Sequence, residues 1–266
     1  MLESIVLGIL QGITEWLPVS SDSILVLAQL RFFGESSFLE ATRVSLFLHG
    51  GTFFAALVYL RKDVARLFGG IFSRQKYQET KNEIHFYVLT TLVGGVFGGF
   101  LLLGVVKGLE ELSSSVEITG KIITFLTGVL LFGTAFSLMK KKGEGKREPR
   151  DLSKKDGIML GIAQGLAALP GLSRSGLTVA ALLLRKFDDM AALKISFLMS
   201  LPIVLAGNIV LNFDASFFSF ELFIGFAVAF IAGLLTISGL LAFARRVSFV
   251  WFVCAFGLLT IAAAFI

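Results

Sequence analysis

The sequence predicts an all-α integral membrane protein, with six transmembrane helices plus two re-entrant helical hairpins arranged as an inverted-topology repeat. Three observations predict it. Six apolar blocks each have roughly the 20 residues that a helix needs to cross the hydrocarbon of a bilayer. Two further apolar stretches are interrupted by proline and small polar residues, and they resemble each other. Basic residues collect in alternate loops, which sets a consistent orientation.

Composition supports the first point. Hydrophobic residues make up 55% of the 266, and only 16% are charged. Mean hydropathy is +0.84. A soluble domain carries about a quarter charged residues. The net charge of +5 does not indicate a nucleic acid partner, because the Lys and Arg residues cluster between apolar blocks, as cytoplasmic loops facing anionic lipid do. Cys254 is the only cysteine, so no intrachain disulfide is expected. The first residues contain Glu3 and no Lys or Arg, so a cleaved signal peptide is not expected.

Read in order, the chain opens with a broken stretch at about 4–33, in which two short runs flank a proline. Neither run is long enough to span alone, so a re-entrant hairpin is the reading; irregular backbone at membrane depth needs protein or a wet cavity around it. Spans follow at roughly 40–60, 84–107 and 120–139. The second broken stretch lies at about 157–186, and spans follow at roughly 191–212, 219–243 and 249–266. Basic residues crowd the loops containing Arg61, Lys62, Arg66, Arg74, Lys76 and Lys81, and Lys140, Lys141, Lys142, Lys146, Arg147, Arg150, Lys154 and Lys155; Arg245 and Arg246 form a third group. The positive-inside rule places these in the cytoplasm and both termini outside. The chain divides into a first repeat at roughly 1–139, a solvated basic linker at 140–156 and a second repeat at 157–266, all in one membrane domain.

The repeat is visible residue by residue. Leu7-Gly8-Ile9-Leu10-Gln11-Gly12 matches Leu160-Gly161-Ile162-Ala163-Gln164-Gly165. Pro18 before Ser20-Ser21-Asp22-Ser23 matches Pro170 before Ser173-Arg174-Ser175-Gly176. Arg31 matches Arg185, and Arg43-Val44-Ser45 matches Lys194-Ile195-Ser196. One hairpin plus three spans reverses the side, so the second copy is upside down. Inverted repeats place their sites near the midplane, where the broken helices meet.

Glu15 is the sharpest chemical feature. It lies mid-hairpin, one turn after Gln11, so both face one way. An ionisable residue at depth reads as functional by default; the structural alternative is an ion pair with Arg174. Ser20, Ser21 and Ser23 precede one short run, and Ser173, Arg174 and Ser175 precede the other, so each group reads as a helix N-cap. Free N–H groups at a helix N-terminus suit an anion, and the Arg174 fork matches phosphate. Two such ends facing each other would clamp a phosphate or diphosphate. Asp22 reads as a cap or a second site acid. His49 reads as a hydrogen-bonded core residue that the site can recruit. His85 reads as surface. Gly94, Gly95, Gly98 and Gly99 read as close helix packing. No Cys/His cluster indicates zinc, and no P-loop indicates nucleotide hydrolysis.

These residues carry a resemblance. Gln11-Gly12-Ile13-Thr14-Glu15-Trp16-Leu17-Pro18-Val19-Ser20-Ser21 is similar to the (Glu/Gln)-x-x-x-Glu…Leu-Pro-Val-Ser-Ser motif of the undecaprenyl-diphosphate phosphatase family. Pro170-Gly171-Leu172-Ser173-Arg174-Ser175-Gly176, followed by Thr178, resembles that family's Pro-Gly-x-Ser-Arg-Ser-Gly motif. The resemblance implies a plasma-membrane enzyme that cleaves a polyprenyl diphosphate to the monophosphate plus phosphate, recycling a lipid carrier, with its site open to the outer face. It further implies Arg174 as the diphosphate grip, Ser21 as the nucleophile, and Glu15 as general base or ligand of a divalent cation, Mg²⁺ or Ca²⁺. Gln11 would position a phosphate or metal-bound water, and Ser20, Asp22, Ser173, Ser175, Gly176, Thr178 and His49 would line the pocket. Expected partners are the polyprenyl diphosphate and membrane lipids, with a homodimer among the open options. One departure stands out: the family's Gly-His after Ser-Ser-x is Ser23-Ile24 here. Asp22 or His49 is left to serve as acid or base. A polyprenyl-phosphate flippase and a catalytically weak lipid-binding relative are the alternatives.

Overall fold

The structure, a computed structural model, describes residues 1–17, 20–35, 37–111, 125, 128–129, 132, 136, 145–169, 172–211, 219–244, 249–263 and 265. Those residues are almost entirely helical. In chain order the helices are α1 (Leu2–Thr14), α2 (Ser21–Phe32), α3 (Phe38–Tyr59), α4 (Arg61–Phe72) and α5 (Arg74–Glu111), then α6 (Lys154–Leu166), α7 (Arg174–Leu184), α8 (Asp189–Leu211), α9 (Phe220–Ala244) and α10 (Phe249–Ala263). A 3-10 turn, Pro149–Asp151, precedes α6.

Among the described residues, four stretches are long and apolar enough to cross a membrane: Glu40–Tyr59, Arg74–Leu101, Asp189–Val210 and Phe220–Ala242. The chain is a multi-pass membrane protein. Four of the expected spans fall on these stretches. The expected span at about 120–139 lies almost wholly outside the described residues, and Arg245 and Arg246 lie outside them altogether. The last expected span begins as α10, which has 15 residues.

The basic segment read as the first cytoplasmic loop is helical instead. It forms α4 and the start of α5, and Ser73 alone separates them. Arg66 donates to both carboxylate oxygens of Glu83 at 2.7 Å. A Cβ on Gly70 would overlap the Thr80 side chain, so the two helices touch where glycine allows it. The linker read as solvated is also partly docked. Arg147 hydrogen-bonds through its backbone to Lys186 and Asp188, and its guanidinium lies 4.1 Å from the Phe187 ring centre. Arg147 (2.8 Å) and Arg185 (2.7 Å) both grip Asp156, which is fully buried. This clasp joins the start of α6 to the end of α7. Burial pushes the Asp156 carboxyl up, but hydrogen bonds from Arg147, Ser153 and Arg185 outweigh it and hold the group well below the usual carboxylate range.

Both broken segments are pairs of short helices, α1 with α2 and α6 with α7. Each first member packs on a long helix of the other half, α1 on α9 and α6 on α5. In lipid, close packing of small residues drives such association, because the tails are as apolar as leucine. A Cβ on Gly12 would meet Ala232 Cβ at 2.5 Å and Gly233 N at 2.6 Å. One on Gly165 would meet Gly94 O and Gly98 N at 3.0 Å. Gly12 and Gly165 are the matched glycines of the sequence repeat. Gly94 and Gly98 thus pack closely as expected, whereas a Cβ on Gly99 would meet open space.

Candidate active site

The first elbow begins where α1 ends. Thr14 Oγ1 returns its hydrogen bond to Leu10 O at 2.7 Å, and Glu15 caps the helix. The next residue, Trp16, anchors the turn: its Nε1–H donates to Gly233 O at 2.9 Å, and its ring meets Phe197 edge-on. The chain re-enters helix at Ser21. Ser20 is the N-cap, accepting from Ser23 N, and its hydroxyl also pairs with Ser23 Oγ at 2.9 Å. The second elbow repeats this design. Ser173 caps α7 by accepting from Gly176 N at 3.1 Å. Pro18, Pro170 and Gly171, expected at the turns, lie outside the described residues.

The two elbows meet. Ser175 Oγ donates to Leu17 O at 2.7 Å, across the halves. Arg174 Nη2 forms an ion pair with Glu15 Oε1. Glu15 Oε2 accepts from Gln11 Nε2 and from Ser21 Oγ, each at 3.0 Å, and lies 3.0 Å from His49 Nε2. The Glu15 side chain is only 4% exposed, so its charge depends on these donors.

His49, expected as a core residue that the site recruits, stands inside it. Its Nε2 is 3.3 Å from Ser21 Oγ, and its Nδ1 donates to Ser45 O at 2.8 Å, which fixes the ring. Asp22 does not cap α2. Its carboxylate accepts from Ser45 Oγ at 2.8 Å and lies 3.8 Å from His49, with the side chain 53% exposed, so it marks the mouth of the site. Thr178 Oγ1 pairs with Ser196 Oγ at 2.7 Å and donates to Arg174 O, bracing α7. Gly176 is buried at the start of α7. His85 is exposed and pairs with Tyr77, away from these groups.

Sequence reading missed three contributors. Thr52 accepts from Gln11 Nε2 at 3.3 Å. In the sequence Ser45 and Ser196 stand out only as matched positions of the two similar segments. The Ser45 carbonyl holds His49, and the Ser196 carbonyl accepts from Arg174 Nη1 at 3.4 Å. The signal was present: Ser45, His49 and Thr52 fall at i, i+4 and i+7, a single polar stripe on an apolar helix.

These residues fit a metal only in one way. Among the described residues no three His, Cys, Asp or Glu side chains group to hold an ion. Glu15 already serves Arg174, Gln11 and Ser21. A divalent cation therefore fits as one bound mainly through phosphate oxygens, with a single protein carboxylate, as Mg²⁺ commonly is.

A carboxylate, a hydroxyl and an arginine joined by hydrogen bonds, beneath two helix N-termini, suit transfer to or from a phosphoryl group. Comparison with known proteins agrees. Residues 4–262 match the family described as bacitracin resistance protein BacA. The chain belongs to the BacA family. Curated relatives include a protein named undecaprenyl-diphosphatase from Methanococcoides burtonii, 38% identical over 99% of this chain and 98% of the relative. Proteins of that name from Haloarcula marismortui (36% identical; 96% and 93% covered) and Methanothrix thermoacetophila (37%; 98% and 96%) are similar over nearly the same extent. The BacA match covers both elbows and every described residue of the candidate site.

Proposed function

We propose that this BacA-family chain is a membrane phosphatase that hydrolyses undecaprenyl or a related polyprenyl diphosphate to the monophosphate and inorganic phosphate. The observation that carries the reading is the buried Glu15, held by Arg174 from the other half and hydrogen-bonded to Ser21. The relatives' printed name supplies the substrate.

The reaction follows from the groups present. The terminal phosphate sits against Arg174 and the N-termini of α2 and α7. Ser21 Oγ attacks that phosphorus in line while its proton passes to Glu15. The bridging P–O bond breaks and polyprenyl monophosphate leaves. Glu15 gives that proton to the departing monophosphate and is a carboxylate again. It then takes a proton from water, which attacks the serine–phosphate and releases inorganic phosphate, and Ser21 Oγ recovers its proton from Glu15 as the bond breaks. His49 stands where it can serve Ser21, in place of the histidine that Ile24 replaces. Gln11, Ser20, Ser173, Ser175, Gly176 and Thr178 shape and brace the seat, and Asp22 lies at its mouth. A Mg²⁺ or Ca²⁺ ion arriving with the diphosphate would take Glu15 as its protein ligand and neutralise phosphate charge.

The architecture belongs to the same proposal. The two elbows are re-entrant hairpins in an inverted repeat of six spans, with repeats at roughly 1–139 and 157–266 around the linker at 140–156. The matched packing of α1 on α9 and α6 on α5 supports this. Both termini and the site opening face outward, since the basic segments belong in the cytoplasm. The lipid tail stays in the bilayer, and a homodimer is compatible with this arrangement.

Ile24 at the histidine position favours a second reading, a polyprenyl-phosphate flippase using the same anion seat. Purified protein given polyprenyl diphosphate and Mg²⁺ should release inorganic phosphate, and Glu15→Gln should stop the release. Lipid movement across proteoliposomes with no phosphate released would assign the flippase instead.

A further inference from the structure

The site leaves its strongest anion-binding groups already engaged. Arg174 is ion-paired with Glu15, and the donors from Gln11 and Ser21 converge on the same carboxylate, with His49 beside it. These groups come from α1, α2, α3 and α7, and all are buried or nearly so. A carboxylate edge and a phosphate edge offer the same kind of oxygen acceptors to such donors. We infer that Glu15 occupies the phosphate seat of the resting site and that the terminal phosphate binds by exchange. Arg174 passes from Glu15 Oε1 to a phosphate oxygen, and the carboxylate, relieved of the cation, becomes a stronger base toward the Ser21 hydroxyl that already donates to it. The inference rests on the phosphatase reading for the identity of the anion.

One further observation fits an exchange better than a permanent ion pair. Arg174 has an anchor independent of Glu15, the carbonyl of Ser196, whose own hydroxyl is fixed on Thr178. The guanidinium is therefore still held when Glu15 moves away.

Exchange makes an unusual prediction. Removing one member of a buried ion pair leaves the other charge uncompensated. Here the charge left behind is the Arg174 cation, which an incoming anion satisfies. Glu15→Gln should thus lose turnover and yet bind the anion more tightly. The test titrates non-hydrolysable methylenediphosphonate into the purified full-length protein by calorimetry, in EDTA. The expected gain for Glu15→Gln is about tenfold or more, the effect of one charge-assisted hydrogen bond. The gain should vanish in the Glu15→Gln/Arg174→Ala double variant. Glu15→Asp, which keeps the charge on a shorter arm, should bind with intermediate affinity. Unchanged or weaker binding by Glu15→Gln overturns the inference. Should that variant fold poorly, the wild-type protein provides a second reading. Adding the ligand should shift a carboxylate band in the infrared difference spectrum, and a silent carboxylate region overturns the inference as well. Phosphate release by wild type, measured in parallel, separates the two claims. Tighter binding without any release keeps the occupied seat and removes the phosphatase reading. Release without tighter binding does the reverse.

Discussion

Ser20 and Ser21 are neighbours with different work to do. Ser20 spends its hydroxyl on the N-cap and on Ser23, while Ser21 directs its own to Glu15 beside His49. Ser20→Ala should cost about 1 kcal/mol of stability, the usual worth of a cap, and lower turnover far less than Ser21→Ala does. Thermal unfolding and phosphate release on the same two variants check this; equal losses of turnover would contradict the division of labour. Much of this was legible from residue types and spacing. Glu15, Gln11 and Arg174 stand out because charge and amide are costly at membrane depth. What sequence hid was pairing: Asp22 looked like a cap because of its position, but Ser45, far along the chain, claims its carboxylate. His49 likewise joins the site only because α3 brings it against the first elbow.

Among the elements, the short helices are held by two devices, glycine contacts and the Asp156 clasp. Gly12→Val should destabilise by about 2 kcal/mol through overpacking, because its Cβ would already lie 2.5 Å from Ala232. A smaller loss than for an exposed control, Gly99→Val, would show that α1 does not lie so close to α9. Asp156→Asn should cost about 2 kcal/mol, a figure reduced because Arg147 and Arg185 are 26% and 32% exposed. The clasp also has a pH signature. An unfolded aspartate takes up its proton near pH ~3.9, and the folded Asp156 does so at lower pH. Its stabilisation is therefore complete at neutral pH and drains away as pH falls below about 4. Unfolding midpoints from pH 7 down to 3 should converge between wild type and Asp156→Asn; a constant gap would contradict the assignment. Apolar periodicity revealed the long helices well. It also marks the helix at Arg61–Phe72, where Val64, Leu67, Phe68, Ile71 and Phe72 recur at helical spacing; the basic residues between them are what give the segment the composition of a loop.

At the scale of the whole molecule, the claim is that two similar segments, each too short to span alone, contribute unlike groups to one place: an acid, a hydroxyl and an imidazole from the first half, an arginine from the second. The likeness of the two segments is legible in the sequence because both keep the same proline break and the same glycines. Their division of chemistry was legible only in the substitutions between them, where Ser21 answers to Arg174 and Asp22 to Ser175. The account depends most on Arg174 reaching across the halves to the site of the reaction. The direct test compares kcat/KM for polyprenyl diphosphate hydrolysis in wild type and Arg174→Ala, with melting temperatures measured alongside. The account predicts a loss of roughly a thousandfold or more, as for other arginines that neutralise a transferring phosphoryl group. Near-normal hydrolysis by a folded Arg174→Ala protein would contradict it.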